Sequence, residues 1–264
     1  VVLNGDTIRI EGQNQAQGAS AEGATLNITA PGTYVLTGHL ENGRVVVAAA
    51  NDADVRLVLN GVNISSMDAP AIEIEEADRT TITLVEGTTN RLTMAASEVA
   101  SAATPAEGEN DDVNEADGGI YSKGDLTLNG NGILMVSGTV KHGIVSKDDL
   151  RITGGNYVIQ AVADAFRGKD LIAIAAGVFE VEAGSDAFLS NNDEVEDRGY
   201  ILVEDGTFKI KAGTDGFQAE SALVLNGGDF EIETGGGSVN GVQPVSKEGA
   251  MGKGQWPGDG ARPA

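Results

Sequence analysis

The feature that most constrains the fold of this chain is a short cassette that occurs five times between residues 117 and 220. Each copy is centred on one apolar residue, and the centres are Ile120, Ile144, Phe166, Phe188 and Phe217. Successive centres lie 24, 22, 22 and 29 residues apart. A repeat of this length predicts a solenoid in which each copy forms one coil.

Alternating apolar patterns follow each cassette. The first begins six residues after the centre in four coils, at Leu126/Leu128, Leu150/Ile152, Ile172/Ile174 and Leu223/Leu225, and thirteen residues after it in the coil with the longer step, at Ile201/Val203. The second follows in four coils, at Tyr157/Ile159/Ala161, Phe179/Val181/Ala183, Phe208/Ile210/Ala212 and Phe230/Ile232/Thr234. A period of two predicts strands, and the glycine-bearing pairs between the two patterns predict turns.

Stacked copies of such a coil would share one continuous core, because a single coil cannot bury its own apolar face. We therefore predict an all-β fold, a right-handed parallel β-helix with about 22–24 residues per coil. The N-terminal half has a weaker rhythm, with Val46 and Ile72 as centres and core strands at 55–59 and 82–84. The pattern predicts one solenoid domain over residues 1–237.

Two segments depart from the repeat. The 48-residue step from Ile72 to Ile120 has its excess in residues 95–117, where seven side chains are acidic. This segment predicts an acidic loop that leaves the solenoid. Residues 238–264 lose the alternation and contain six glycines and three prolines, which predicts a flexible tail.

Composition excludes several classes of function. A net charge of −23 with no basic stripe argues against a nucleic-acid partner. The chain has no cysteine, which rules out disulfides and cysteine-based metal or redox chemistry. No apolar run approaches the 18 to 20 or so residues that cross a bilayer, so membrane insertion is not expected. The first residue, Val1, is compatible with a removed leader, and the acidity suits a secreted or cell-surface protein that meets divalent cations.

Three aspartates occupy the same cassette position, two residues before the centre: Asp164, Asp186 and Asp215. Equal positions on stacked coils lie about 4.8 Å apart, so these carboxylates repel one another unless a cation intervenes. Hard oxygen ligands at this spacing favour Ca²⁺. The insertion at 191–197 adds carboxylates and amides beside this column. The alternative is that aspartates suit tight corners and bond to the local backbone.

Lysines form a second column, three residues after the centre, at Lys123, Lys147 and Lys169. They could pair with neighbouring aspartates. Alternatively, one lysine beside a bound Ca²⁺ could remove the proton α to a uronate carboxylate, as a lyase requires. Arg167 could clamp a substrate carboxylate or act as a further counter-charge.

Aromatic side chains divide into two groups. Phe166, Phe188 and Phe217 fit a buried ladder. Tyr121 and Tyr200 are expected to face outward, where a ring can stack on a sugar.

Several segments resemble a family of bacterial secreted carbohydrate-binding β-helix proteins: Ala116–Gly130, Lys141–Leu150, Asp164–Asp170 and Asp215–Ala219. The resemblance implies a fold akin to the calcium-dependent pectate lyases, bound Ca²⁺, and affinity for plant cell-wall polymers such as cellulose and polygalacturonate. The metal ligands that it implies are Asp164, Asp186, Asp215, Asn191, Asp193 and Asp197. The chain departs from the pattern at Ala165 and Ala187, where glycine is usual.

The leading hypothesis is a calcium-dependent extracellular protein that binds an acidic polysaccharide without catalysis. The residues expected to contact the polymer are Lys147, Lys169, Arg167 and Tyr121. One alternative is a polysaccharide lyase that cleaves polygalacturonate by β-elimination through Lys169 or Arg167. The other is a structural solenoid that stacks head to tail, because exposed terminal strands pair unless they are capped.

Overall fold

The computed structural model describes residues 1–12, 18–67, 69–95, 116–138 and 141–236. This part of the chain forms strands and turns, and it contains no helix that could cross a membrane. The predicted tail at 238–264 and all of the predicted acidic loop except its ends lie outside the described residues.

Twenty-five strands are found in the described residues. In chain order they are β1 (Val2–Gly5), β2 (Thr7–Arg9), β3 (Ala19–Glu22), β4 (Thr25–Ile28), β5 (Gly32–Leu40), β6 (Arg44–Ala48), β7 (Asp54–Met67), β8 (Ile72–Glu76), β9 (Arg79–Leu84), β10 (Thr89–Ala95), β11 (Gly118–Ser122), β12 (Asp125–Gly130), β13 (Ile133–Gly138), β14 (His142–Ser146), β15 (Asp149–Ile152), β16 (Asn156–Ala161), β17 (Phe166–Gly168), β18 (Leu171–Ile174), β19 (Val178–Ala183), β20 (Phe188–Ser190), β21 (Tyr200–Val203), β22 (Thr207–Ala212), β23 (Phe217–Ala219), β24 (Ala222–Leu225) and β25 (Asp229–Thr234).

Three consecutive strands make one rung, as in β11–β12–β13, and each strand pairs in parallel with its equivalent in the next rung. First strands form a nine-stranded sheet, ordered β23-β20-β17-β14-β11-β8-β6-β4-β3. Second and third strands belong to one sixteen-stranded sheet, because β5 and β7 run through the corner between them. The prediction of an all-β fold with parallel sheets is confirmed.

The registers confirm the predicted repeat. Ile120, Ile144, Phe166, Phe188 and Phe217 are consecutive register partners across five first strands. One assignment in the N-terminal half was wrong. The register partner of Ile72 is Val45, whereas the predicted centre Val46 pairs with Glu73. A shift of one residue turns a side chain to the other face of a strand, and the sequence offers three consecutive valines there.

Aromatic rings form two stacks inside the rungs. One contains Phe166, Phe188 and Phe217, whose successive centroids are 4.7 and 4.8 Å apart. The other contains Tyr157, Phe179, Phe208 and Phe230, with spacings of 5.1, 4.7 and 4.8 Å. Rings of one stack meet those of the other edge to face, as between Phe179 and Phe188 at 5.7 Å. The predicted ladder is confirmed, although Phe217 is only partly buried, and the second stack extends it.

Turn glycines support the second stack. Gly177 precedes Phe179 by two residues and has a φ of +150°, which side-chain-bearing residues rarely adopt. A Cβ at this position would lie 2.8 Å from the Phe179 ring. The glycine thus lets the turn pass directly over the edge of the aromatic ring.

The N-terminal end of the stack is closed by antiparallel strands. β1 pairs with β5 on one side and with β2 on the other, and Leu3 is buried. β3 folds back on β4 at the end of the nine-stranded sheet. Short antiparallel strands with polar side chains are a common protection for sheet edges. This end of the stack is therefore capped.

We expect Thr80→Val to stabilise the protein. Thr80 is fully buried, and its Oγ1 has no hydrogen-bond partner. Its register partners, Val55 and Leu126, are apolar core residues. An isosteric valine removes the unsatisfied hydroxyl, so the free energy of unfolding should rise by about 1 kcal/mol. Urea denaturation measures this, and a lower value for the variant would contradict the assignment.

Candidate functional site

The aspartate column forms a ladder along the corner that precedes the first strands. Oδ1 of Asp164 accepts the N–H of Asp186 at 3.0 Å, and Oδ1 of Asp186 accepts the N–H of Asp215 at 2.9 Å. His142 occupies the same position one rung earlier, and its Nδ1 accepts the N–H of Asp164 at 3.1 Å. Each side chain therefore bonds to the backbone of the next rung, which explains why the position repeats.

Arg167 is held against this ladder. Its guanidinium lies 3.0 Å from Nε2 of His142 and 3.7 Å from Oδ2 of Asp164. All three residues are buried. Farther along the same corner, Asp117 pairs with Lys141 at 2.8 Å. Arg167 and Asp164 are buried and oppositely charged, so removing either one would leave the other charge uncompensated. The contacts with His142 and Asp164 hold Arg167 in one orientation.

A groove of ≈ 370 Å³ lies on the outer face of the nine-stranded sheet. It brings together three of the four predicted polymer contacts with two of the predicted metal ligands. Its lining residues are Val145, Ser146, Lys147, Arg167, Lys169, Asn191, Asp193, Glu194, Gln218 and Glu220. Lys147 and Lys169 follow register partners on neighbouring strands, which places their backbones about 4.8 Å apart. The groove is thus polar, with cationic side chains from two successive rungs.

The insertion after β20 forms one wall of the groove. Oδ1 of Asn192 accepts the N–H groups of Glu194 and Val195 at 2.9 and 3.1 Å, and its amide donates to Asp170. Glu194 in turn pairs with Lys169 at 3.1 Å. Asn192 is buried and fixes this wall. The sequence did not reveal this role, because Asn192 is one of two amides among six polar residues at 191–197 and no pattern distinguishes it.

Tyr121 does not line the groove, and the expectation that its ring is accessible to a sugar is wrong. It belongs to the outer row of the sheet and is the register partner of Val145, but it is only 1% exposed. Burial, with smaller contributions from the charges of Asp117 and Glu73, raises the pKa of its phenol. The ring therefore has no free face for stacking on a sugar.

The predicted metal ligands fall into two separate groups. Asp164, Asp186 and Asp215 precede the first strands, whereas Asn191, Asp193 and Asp197 follow them. Asn191 lies five residue steps after Asp186, along a chain that includes β20, and five extended steps correspond to about 16 Å. Asp193 and Asn191 line the groove, while Asp197 is exposed in a left-handed turn with a φ of 67°. The six residues cannot form one site.

A cluster of carboxylates lies at the start of the second strands. Within the described part of the chain, Asp125, Asp148 and Asp149 form a set whose oxygens lie within 4.8 Å of one another. Burial, a hydrogen bond with Asp170 and the charges of the neighbouring aspartates raise the pKa of Asp148 to about 6. Arg151 bonds to both Asp125 and Asp149 and offsets part of this repulsion. Oxygen donors of this kind suit a hard cation such as Ca²⁺.

Comparison with known proteins identifies a matching family, a relative and a similar solved structure. A family described as "Carbohydrate-binding domain-containing protein" matches residues 22–257. A protein of that description from Acetivibrio thermocellus is 32% identical over 161 residues, which are 61% of this chain and 52% of the relative. The chain therefore spans about half of that relative's length. A solved structure, a gadolinium derivative of the polysaccharide lyase-like protein from C. thermocellum, superposes with a TM-score of 0.80 at 30% identity, covering 90% of this chain and 91% of the other.

Proposed function

Because the chain belongs to the family of carbohydrate-binding domain-containing proteins, we propose that it binds an acidic polysaccharide in the groove lined by Lys147, Arg167 and Lys169. The observation that carries this proposal is the position of these three cations. The whole chain has 17 basic and 40 acidic residues, yet three basic side chains converge on one groove. A guanidinium and two ammonium groups are suited to uronate carboxylates.

An open, polar groove across several strands also fits a polymer better than a small molecule. Small-molecule sites are usually concave and mostly apolar, whereas this groove is lined by charged and amide groups. Equivalent positions recur on successive rungs, so neighbouring sugar units can meet similar groups. We further propose that the stack is a right-handed parallel β-helix, because parallel crossover connections are right-handed in about 98% of cases.

Calcium dependence is part of the proposal, with Asn191 and Asp193 as ligands at the groove wall. Asn191 is half-buried and Asp193 is exposed, and both line the groove together with Lys169, where a cation could bridge the protein to a polymer carboxylate. The aspartate column fits a metal less well. Oδ1 of Asp164 accepts a backbone N–H, and its Oδ2 lies 3.3 Å from Nδ1 of His142. When bound, Ca²⁺ would supply a charge that offsets repulsion between an acidic protein and an acidic ligand.

Binding without catalysis is the activity that we propose. Lys169 is ion-paired with Glu194 at 3.1 Å, and a paired ammonium suits anion binding, whereas a general base must be the free amine. Arg167 is held by His142 and Asp164, which favours a fixed carboxylate clamp. Secretion or display at the cell surface follows from this proposal, since that is where such polymers occur.

Titration with polygalacturonate by calorimetry tests the proposal, with calcium present and after EDTA treatment. We expect calcium-dependent binding to the unmodified chain. Lys147→Gln with Lys169→Gln should weaken it about tenfold or more, because a charged hydrogen bond contributes about 1.5–3 kcal/mol and 1.4 kcal/mol corresponds to tenfold.

The matched control is Lys209→Gln with Lys211→Gln, which removes two lysines on the outer face of β22, away from the groove. Equal losses in both double variants would indicate a general charge effect and contradict the groove assignment. Two further single variants locate the calcium: Asp193→Asn for the groove wall and Asp148→Asn for the acidic cluster. Absorbance of unsaturated uronate during the titration would instead identify a lyase.

A further inference from the structure

The groove on the nine-stranded sheet crosses four rungs. Its lining residues come from the rungs of β14, β17, β20 and β23, with the insertion after β20 as one wall. These four strands pair in this order. Neighbouring strands of a sheet are about 4.8 Å apart, so the groove extends over about 14 Å. A polymer that lies along the groove therefore passes over the four rungs in turn.

One column of the groove changes its charge from rung to rung. The column consists of the residue that directly follows each of the four strands: Lys147, Lys169, Asn191 and Glu220. The strands are aligned in register, so these four positions are neighbours in space. Along the column, two ammonium groups are followed by an amide and then by a carboxylate.

The other charged residues of the groove divide in the same way. Arg167 adds a second cation to the rung of β17, whereas Asp193 and Glu194 add two carboxylates to the rung of β20. The ion pair between Lys169 and Glu194, at 3.1 Å, lies where the two charges meet. We call the first two rungs, with Lys147, Arg167 and Lys169, the cationic half, and the last two, with Asp193, Glu194 and Glu220, the acidic half.

The acidic half is unsuited to a polymer that carries a carboxylate on every sugar unit. Such a polymer would bring its own carboxylates beside those of the protein, and like charges at this separation repel. The calcium site proposed at Asn191 and Asp193 belongs to the rung of β20, and Glu220 lies one rung farther along. On that last rung, the groove offers the amide of Gln218 and the carboxylate of Glu220. Both groups form hydrogen bonds with the hydroxyl groups of an uncharged sugar.

We propose that the groove selects an acidic polysaccharide in which ionised units are interrupted by uncharged units, and that Glu220 determines this selectivity. The inference rests on the proposed function, because it specifies the charge pattern of the polymer that the same groove would bind. A run of uronates lies over Lys147 and Arg167 in the cationic half. An uncharged unit lies over Gln218 and Glu220.

Calorimetry with two polymers of matched length, at one fixed calcium concentration, tests the selectivity. The first polymer is polygalacturonate, which is ionised at every unit. The second is polygalacturonate methyl-esterified in blocks, so that ionised and uncharged runs alternate. We expect the unmodified chain to bind the block-esterified polymer more tightly. Glu220→Gln should tighten the binding of polygalacturonate about threefold or more, because it removes a like charge at the surface, and should not tighten the binding of the block-esterified polymer.

Two further variants complete the test. Glu180→Gln makes the same change in net charge at an exposed position of β19 outside the groove, and it should change neither affinity. Glu220→Lys extends the cations to the last rung and should reverse the preference, so that polygalacturonate binds more tightly than the block-esterified polymer.

The possible failures are distinguishable. Equal affinity of the unmodified chain for the two polymers would overturn the selectivity and leave the proposed function in place. The same would follow if Glu220→Gln changed nothing, or if Glu180→Gln tightened the binding of polygalacturonate as much as Glu220→Gln. An absence of binding to either polymer would overturn the proposed function together with this inference.

Discussion

Phe179→Ala should lower the free energy of unfolding by about 4 kcal/mol or more. Phe179 is buried and stacks between Tyr157 at 5.1 Å and Phe208 at 4.7 Å. It also meets Phe166 and Phe188 edge to face, at 5.9 and 5.7 Å. Truncating a buried phenylalanine typically costs about 3–5 kcal/mol, and each aromatic pair adds about 0.5–1.5 kcal/mol beyond buried area.

The neighbouring residue provides a matched control. Val178 lies on the same strand but is 48% exposed on the opposite face, so Val178→Ala should change stability by no more than about 0.5 kcal/mol. Phe179→Leu should be intermediate, because it keeps apolar volume and loses the ring contacts. Chemical denaturation followed by far-ultraviolet circular dichroism gives the three values. Similar losses for Val178→Ala and Phe179→Ala would contradict the stacked core.

Asn90→Leu should destabilise the protein by about 3 kcal/mol although it makes the core more apolar. Asn90 is fully buried, and its Oδ1 accepts the N–H groups of Gly61 and Val62 at 2.9 and 3.1 Å. Its amide donates to the carbonyl of Ile133 at 3.2 Å. The substitution leaves two backbone donors without their acceptor, and each unsatisfied group costs about 1–3 kcal/mol.

An exposed asparagine on the adjoining strand separates this effect from loss of an amide in general. Asn63 is exposed and is the register partner of Arg91, so Asn63→Leu should be close to neutral. Equilibrium denaturation of both variants in urea is the measurement. If Asn90→Leu proved neutral or stabilising, the hydrogen bonds to Gly61 and Val62 would not matter for stability.

The position of Asn90 also illustrates what the repeat could not predict. It is the register partner of Leu134, which leads through Tyr157 to the aromatic stack. An apolar residue is expected in such a row. The asparagine is required because β7 turns the corner at Gly61 without a break, and the N–H groups of that corner need an acceptor. Only the path of β7 reveals this need.

The candidate site was predictable in part. Lys147, Lys169 and Arg167 were predicted from their cassette positions to contact the ligand, and the groove contains all three. The repeat succeeds here because equal positions on successive rungs are neighbours in space. It failed for Tyr121, because alternation indicates which side of a strand a residue occupies but not whether other residues cover that side. The resemblance implied one set of metal ligands that included both Asp186 and Asn191. The structure separates these two residues, because the extended strand β20 runs between them.

Periodicity by itself determined the strands, the rung length and the parallel stacking of Ile120, Ile144 and Phe166, since each follows from short-range alternation and a fixed repeat. Tertiary structure decided which side chains remain accessible and what each polar corner binds. The aspartate column shows the difference most clearly. Its spacing was evident from the sequence, but its hydrogen bonds to the next rung depend on the relative position of two backbones, and no pattern within one rung contains that information.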